Sequence, residues 1–345
     1  MLEDLNDQAL EAAAQTKVIG NKILATLNQP FQLVAHKYHS TPSIGATFFN
    51  GHEQSTEELI KQADIAMYHA KSSGRNAMHF FDPQMEAIIF ARVSLEGELR
   101  KALETKEFRL YYQIQVDSSG KPVGAEALIR WLHPERTLVS PAQFIPLAEE
   151  TGLILPIGQW VLETACAQLN AWQQNALTRD IMLAVNVSAR QYRQAGFVNQ
   201  VLDSIQRHTI NPRLLKLELT ESMLLDDIEN TIAIMNTLGE IGVQFSLDDF
   251  GTGYSSLQYL KRLPLYQLKI DQSFVRDIAY DMHDRSIVRT IIAMAKSMDL
   301  KVIAEGVETE EQRFILLNKG CTHYQGYLFG KPIPIEEFEK LLKLG

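Results

Sequence analysis

The 345-residue chain has few cysteines, no long apolar run and no excess of positive charge. Its two cysteines, Cys166 and Cys321, are far apart and match no zinc-ligand spacing, so we expect buried thiols in a reducing cytoplasm. No apolar stretch approaches about 18 residues, and the acidic N-terminus lacks the basic start of a signal peptide, which argues against a membrane contact. The formal charge of −9 argues against a nucleic-acid polymer as the partner.

The sequence also lacks a Gly-x-Gly-x-x-Gly turn after a strand, so a dinucleotide-binding Rossmann unit is not supported. Short apolar segments instead alternate with helical ones. We predict strands at 108–116, 124–129, 182–187, 215–219, 243–247, 267–270, 301–304 and 324–329. We predict intervening helices at 141–150, 157–174, 197–207, 230–241, 284–298 and 310–318. This alternation is typical of an α/β fold of the (β/α)8 TIM-barrel type, with an open doubly wound sheet as the alternative.

The region before the barrel has a different pattern. Helical spacing at 8–28 and 57–73 and short apolar segments at 31–34, 43–49 and 77–81 predict an α+β unit with a modest core. The expected organisation is a small unit at 1–85, a linking helix at 86–104 and the barrel at 105–345.

Polar residues recur where the predicted strands end, which is the functional face of such a barrel. They are Glu126, Asn186, Glu218, Asp248, Asp249, Lys269, Glu305 and Gln325. Each alone has an ordinary interpretation as a cap or a surface ion pair, and the adjacent Asp248 and Asp249 alone could form a solvated turn. Together they form a set of acids too large for one lysine to neutralise, and buried carboxylates cost several kcal/mol unless paired or metal-bound. Oxygen ligands of this kind suit Mg²⁺ or Mn²⁺.

Motifs in the first unit carry one resemblance. Ser43-Ile-Gly45, Ala63-Asp-Ile-Ala-Met-Tyr68, Ala70-Lys71 and Gly74-Arg-Asn76 resemble the C-terminal half of a GGDEF domain, the diguanylate cyclase family. The signature loop, the metal-binding acids before it and the inhibitory Arg-x-x-Asp site have no counterpart in the sequence. We therefore expect no cyclase activity, and a remnant that packs against the next domain or another protomer.

Motifs in the barrel carry a second resemblance, over roughly residues 95–345. They are Glu126-Ala-Leu128, Asn186-Val-Ser188, Glu218-Leu-Thr-Glu221, Asp248-Asp-Phe-Gly-Thr-Gly253, Lys269-Ile-Asp271, Ala304-Glu-Gly-Val-Glu308 and Gln325-Gly-Tyr-Leu-Phe-Gly-Lys-Pro332. They resemble the EAL-domain phosphodiesterases, which linearise cyclic di-GMP to 5′-pGpG in bacterial second-messenger signalling. The resemblance implies two Mg²⁺ or Mn²⁺ ions per active site.

The resemblance also implies a role for each residue. The first metal would be held by Glu126, Asn186, Glu218 and Asp248, and the second by Asp248, Asp249 and Glu305, with Gln325 reaching it through water. Lys269 would either deprotonate or position the attacking water, and both alternatives stay open. Glu221 would brace the loop at 249–253.

Substrate contacts are implied for Gln113, Leu128 and Arg130, with a surface ion pair as the alternative for Arg130. Ile114 stands where the family usually has proline, which bears on the local backbone. The resemblance further implies a homodimer that orders the loop after Asp249. A cyclic di-GMP sensor without catalysis and a dimerising scaffold are the competing functions.

Overall fold

The computed structural model describes residues 9–33, 36–38, 40–49, 54–224, 227–251 and 260–344. The chain divides into two compact units, Met1–Glu98 and Leu99–Gly345. Across the described residues, no helix has the length and apolar character needed to cross a membrane. Cys166 and Cys321 are both buried and unpaired, as expected from their spacing.

The first unit contains two small sheets in its described part. Its elements are α1 (Ala9–Leu27), β1 (Phe31–Leu33), β2 (His36–Tyr38), β3 (Ile44–Ala46), α2 (Thr56–Ser72), β4 (Met78–Phe80) and the start of α3 (Pro83–Glu104). Strands β1 and β2 are antiparallel, whereas β3 and β4 are parallel and are connected through α2. The backbone of α2 lies so close that a Cβ on Gly45 would come within 2.2 Å of the Met67 nitrogen. Only glycine fits at this position of β3.

The second unit consists of strands and helices that alternate along most of the chain. Its elements are β5 (Phe108–Asp117), β6 (Pro122–His133), β7 (Thr137–Val139), α4 (Pro141–Thr151), α5 (Ile154–Gln173), β8 (Met182–Asn186), α6 (Ala189–Tyr192), α7 (Phe197–His208), β9 (Leu215–Thr220), α8 (Ile228–Glu240), β10 (Gln244–Phe250), β11 (Gln267–Ile270), α9 (Gln272–Arg276), α10 (Met282–Ser297), β12 (Lys301–Ala304), α11 (Glu310–Asn318), β13 (His323–Gln325), β14 (Ile333–Pro334) and α12 (Ile335–Leu344).

Eight of these strands close into a barrel. The neighbours run β5, β13, β12, β11, β10, β9, β8 and β6, and pairing between β5 and β6 completes the ring. The predicted barrel is therefore confirmed and the open sheet is wrong. One feature differs from a regular (β/α)8 barrel: β5 is antiparallel to both of its neighbours, β6 and β13, and no crossover helix separates β5 from β6.

The barrel interior is polar. On β9, successive side chains alternate, so Lys216 and Glu218 share one face while the buried leucines between and beside them share the other. The Lys216 ammonium donates to Gln115 on β5 and to Gln267 on β11. Those strands do not adjoin β9, so this face points into the barrel and the leucines face outward.

The last predicted barrel strand needed correction. Strands β11 and β12 end where predicted, but β13 stops at Gln325 instead of continuing to residue 329. Beyond Gln325 the backbone turns onto the loop that follows β12, where the Leu328 N–H donates to the Val307 carbonyl at 3.0 Å. A Cβ on Gly326 would lie 2.1 Å from that same carbonyl oxygen. The short strands β2 and β7 had not been predicted.

Candidate active site

The ammonium of Lys269 lies among four carboxylates at the carboxyl ends of the barrel strands. Lys269 is near the end of β11, and its Nζ contacts an oxygen of Glu218 on β9. It lies 2.5 Å from Glu305 Oε1, 3.2 Å from Asp248 Oδ1 and 3.5 Å from Glu126 Oε2. Glu305 directly follows β12, Asp248 lies on β10 and Glu126 on β6. Four separate strands thus supply acids to one buried point.

Burial and mutual repulsion shift the pKa values of these groups. Burial raises the pKa of Glu218 to about 7, and burial also raises the pKa of Glu305 well above its ordinary value. Burial would raise the pKa of Glu126 too, but the attraction of Lys269 and the amide donors around it lower that pKa. The raised pKa values indicate that Lys269 does not fully compensate the charge of these acids, and a bound cation would favour their ionised forms.

Lys269 itself is held as an ammonium. Burial opposes its charge, but attraction to Glu126, Glu218, Glu305 and Asp248 raises its pKa well above its ordinary value. In this arrangement Lys269 donates a hydrogen bond to Glu218 and lies within reach of the other three carboxylates.

Two amides orient Glu126. The Asn186 Nδ2 donates to Glu126 Oε1 at 2.6 Å, and the Gln325 Nε2 donates to Glu126 Oε2 at 2.6 Å. The same Gln325 nitrogen donates to Gln113 Oε1 at 3.1 Å, and the Gln113 Nε2 donates to the Gly330 carbonyl at 3.1 Å. Gln325 therefore acts on a neighbouring acid through its N–H groups, and Gln113 is held by hydrogen bonds at both ends of its amide.

The adjacent acids Asp248 and Asp249 have different surroundings. The pairing of β10 with β11 is irregular here, and Asp249 adopts a left-handed backbone with φ of 54°. Its N–H donates to Asp248 Oδ1 at 3.0 Å. Burial, with repulsion from Asp248 and Asp271, raises the pKa of Asp249 to about 6. Asp248 contacts Lys269, whereas the Asp249 carboxyl forms a hydrogen bond with Asp271.

Glu221 supports the backbone that follows these acids. It is buried at the start of a 3-10 turn, Glu221–Leu224, and its Oε2 accepts a hydrogen bond from the Gly251 N–H at 3.1 Å. Gly251 has a positive φ of 102°, and a Cβ there would lie 2.9 Å from the Phe274 ring. The remainder of the predicted loop, at 252–253, lies outside the described residues.

The three residues expected to contact substrate lie on the hairpin of β5 and β6. Arg130 is half-buried, donates to the Ile129 carbonyl at 2.8 Å and places its guanidinium 5.7 Å from the centre of the Tyr111 ring. Leu128 pairs across the hairpin with Tyr111. Gln113 lies opposite Glu126 across the hairpin, which places a residue expected to contact the substrate beside one of the site's acids.

The donor set fits a hard divalent cation. It consists of carboxylate and amide oxygens, the ligands that Mg²⁺ and Mn²⁺ prefer. At the site, three buried carboxylate oxygens accept no hydrogen bond: Glu218 Oε1, Glu221 Oε1 and Glu305 Oε1. Lysine ammonium groups approach the first and third of them, at 3.6 and 2.5 Å. Within the described ranges no three Asp, Glu, His or Cys side chains form a ready metal cluster. The Lys269 ammonium lies among the acids, so ion binding would require these side chains to move.

Three polar residues at the site had not been predicted to act there: Lys216, Gln115 and Asp271. Lys216 is only 2 % exposed, and its Nζ lies 3.6 Å from Glu218 Oε1. The alternation Leu-Lys-Leu-Glu-Leu on β9 is the signal that could have placed Lys216 on the same face as Glu218.

Comparison with protein families gives two matches. The EAL domain model matches residues 96–332, and the model described as diguanylate cyclase, GGDEF domain, matches residues 3–77. The first match includes the carboxylates, the amides and Lys269.

Curated relatives match nearly the whole chain. The bifunctional diguanylate cyclase/cyclic di-GMP phosphodiesterase MucR of Pseudomonas aeruginosa is 44% identical over 94% of this chain and 47% of its own length. The cyclic di-GMP phosphodiesterase PdeR of Escherichia coli is 37% identical over 99% of this chain and 51% of its own length. The chain thus spans about half the length of these relatives.

Solved structures match the barrel. The PaMucR phosphodiesterase in complex with c-di-GMP is 46% identical, with a TM-score of 0.69 over 71% of this chain and 99% of that chain. The FimX EAL domain of Pseudomonas aeruginosa bound to c-di-GMP is 26% identical, with a TM-score of 0.63 over 69% of this chain and 95% of that chain.

Proposed function

The chain belongs to the EAL domain family, and on this premise we propose that it hydrolyses cyclic di-GMP to linear 5′-pGpG. The observation that carries the proposal is the convergence of four strand-end carboxylates on Lys269. No position of the expected catalytic set is replaced in the sequence. The relatives' names and the c-di-GMP bound to the PaMucR structure support the choice of substrate.

The proposed cofactors are two Mg²⁺ or Mn²⁺ ions. One would be held by Glu126, Asn186, Glu218 and Asp248, and the other by Asp248, Asp249 and Glu305. Bound there, the ions would polarise the phosphoryl oxygens and lower the pKa of the attacking water. The raised pKa values of Glu218 and Glu305, and the buried Glu218 Oε1 that accepts no hydrogen bond, support this assignment.

The chain's own residues would orient the reaction. Lys269, as an ammonium, would donate to the attacking water or to a phosphate oxygen and hold it in line. Arg130 would bind a phosphate through its planar fork, and Gln113 and Leu128 would contact the rest of the nucleotide. Glu221 would keep the Gly251 backbone in place through its hydrogen bond.

The remaining proposals concern organisation. We propose a cytoplasmic homodimer with a GGDEF-like unit at 1–85, a linking helix at 86–104 and the phosphodiesterase barrel at 105–345. Dimerisation would order the loop after Asp249 and so complete the second metal site.

Product analysis tests the proposal. The purified chain is incubated with cyclic di-GMP and Mg²⁺ or Mn²⁺, and the nucleotides are separated by chromatography. We expect pGpG from the wild type, none from Glu126→Gln and undiminished product from Glu310→Gln, which alters an exposed acid outside the site.

Each other outcome is informative. Tight binding of cyclic di-GMP without product would refute hydrolysis and favour a non-catalytic sensor. Absence of both binding and product would refute the substrate, and hydrolysis that survives Glu126→Gln would refute the assigned site.

A further inference from the structure

A chain of side-chain hydrogen bonds crosses the barrel interior and ends on Glu126. The Lys216 Nζ donates to Gln115 Oε1 at 3.1 Å, and the Gln115 Nε2 donates to Gln325 Oε1 at 2.8 Å. The Gln325 Nε2 then donates to Glu126 Oε2 at 2.6 Å. All four side chains are at least nine-tenths buried, so water does not compete with these contacts. We call these four residues the relay.

The relay has a direction. An amide can be turned end for end, because it both donates and accepts, whereas a lysine ammonium only donates and a carboxylate only accepts. Lys216 therefore fixes the carbonyl end of Gln115 toward itself, which leaves the Gln115 N–H groups for Gln325. Gln325 must then accept from Gln115 and donate toward Glu126.

We propose that Lys216 is a positioning residue that sets the direction of the relay and thereby holds Gln325 and Glu126 in the orientation needed for hydrolysis. The proposal rests on the proposed function above for its catalytic consequence. Lys216 has no contact with the expected substrate-binding residues in this arrangement; its effect passes through Gln115. The competing explanation is electrostatic: the Lys216 Nζ lies 3.6 Å from Glu218 Oε1, so Lys216 would act on the site by its charge alone.

Two matched substitutions separate these accounts. Gln115 and Gln267 both accept a hydrogen bond from Lys216, at 3.1 and 2.6 Å, but only Gln115 belongs to the relay. Gln115→Glu places an acceptor against Gln325, which must turn its N–H groups away from Glu126. Gln267→Glu adds the same charge beside Lys216 and leaves the direction of the relay unchanged.

Three readouts are measured on each variant. Partners behind a metal ligand typically change activity by 10- to 100-fold, so we expect kcat to fall at least ~10-fold in Gln115→Glu and less than ~3-fold in Gln267→Glu. In protein with ¹⁵N-labelled glutamine, the Gln325 side-chain NH₂ signals should move in Gln115→Glu and stay in place in Gln267→Glu. Binding of cyclic di-GMP in EDTA, by calorimetry, should be the same in both variants.

Equal losses of kcat in the two variants would overturn the relay in favour of charge alone. Unmoved Gln325 signals in Gln115→Glu would overturn it as well. Lys216→Met provides a further test. If both residues act through the relay, the double variant Lys216→Met/Gln115→Glu should lose no more kcat than Gln115→Glu alone. Additive losses of kcat would contradict a single relay. Thermal unfolding checks that each variant folds. If Gln115→Glu does not fold, Gln115→Leu, which removes the donor to Gln325 Oε1, replaces it with the same expected result.

The two proposals fail differently. If the wild type does not hydrolyse cyclic di-GMP, the proposed function is wrong, but the NH₂ signals still decide whether Lys216 orients Gln325. If the wild type is active and Gln115→Glu is equally active, the proposed function stands and the relay is wrong.

Discussion

Replacing Glu218 by glutamine is expected to stabilise the metal-free protein, in EDTA at pH 8. In the assay with Mg²⁺ or Mn²⁺ the same substitution should abolish hydrolysis. The pKa of Glu218 is about 7 in the folded chain against an ordinary value of 4.5. This difference corresponds to about 3 kcal/mol of unfolding free energy. Because the folded state holds the proton more tightly, the stabilisation from this group is full below pH 4.5 and is lost as pH rises through about 7. Glutamine is never ionised, so it avoids that loss.

Urea unfolding followed by circular dichroism measures the effect at pH 5 and pH 8. At pH 8 the Glu218→Gln variant should exceed the wild type by about 3 kcal/mol. At pH 5 the folded wild-type carboxyl is largely protonated and resembles the amide, so the gain should fall to about 1 kcal/mol or less. Glu310→Gln serves as the control and should change stability by less than about 0.5 kcal/mol at either pH. A gain of equal size at both pH values, or none at pH 8, would refute the reasoning.

Two further predictions concern the substrate side and the backbone brace. Arg130→Lys should raise KM for cyclic di-GMP about 10-fold, because an ammonium cannot form the bidentate contact with a phosphate. The control Arg276→Lys, at an exposed position, should leave KM unchanged. An unchanged KM in Arg130→Lys would contradict the phosphate contact. Glu221→Ala removes the side chain that accepts a hydrogen bond from the Gly251 N–H. Amide hydrogen exchange around Gly251 should become faster, and kcat should fall about 10-fold. Unaltered exchange would rule out the role of Glu221 in holding this backbone.

Regular segments of the barrel could be predicted from the sequence. Strands β11 and β12 and helix α11 begin and end where their apolar periodicity and flanking residues predicted. The apolar run after Gln325 resembles a continued strand, but its backbone binds the loop at Val307. That contact joins distant parts of the chain, and local periodicity carries no information about it.

The sequence predicted which residues form the site more fully than it predicted how they are arranged. Motif order brought Glu126, Glu218, Asp248 and Glu305 into one set, and the structure places all four around Lys269. The roles of individual residues in catalysis and metal binding stay predictions.

Two features were missed, for different reasons. The antiparallel direction of β5 depends on its pairing with β13, which is distant in sequence. Lys216 shares a face of β9 with Glu218, so the alternation carried a signal, but alternation alone does not show whether that face meets solvent or a barrel interior.

The antiparallel first strand also bears on the order in which the site is assembled. The β5–β6 hairpin sets Gln113 opposite Glu126 through local pairing, which closes rapidly in folding. Gln325 contacts Gln113 across a sequence separation of 212 residues, and it lies on the strand that closes the ring. A ribosome-bound chain that ends before β13 would hold the acids of the site without one of the two donors that orient Glu126. Hydrolytic competence would thus appear only when the last barrel strand has docked, late in synthesis.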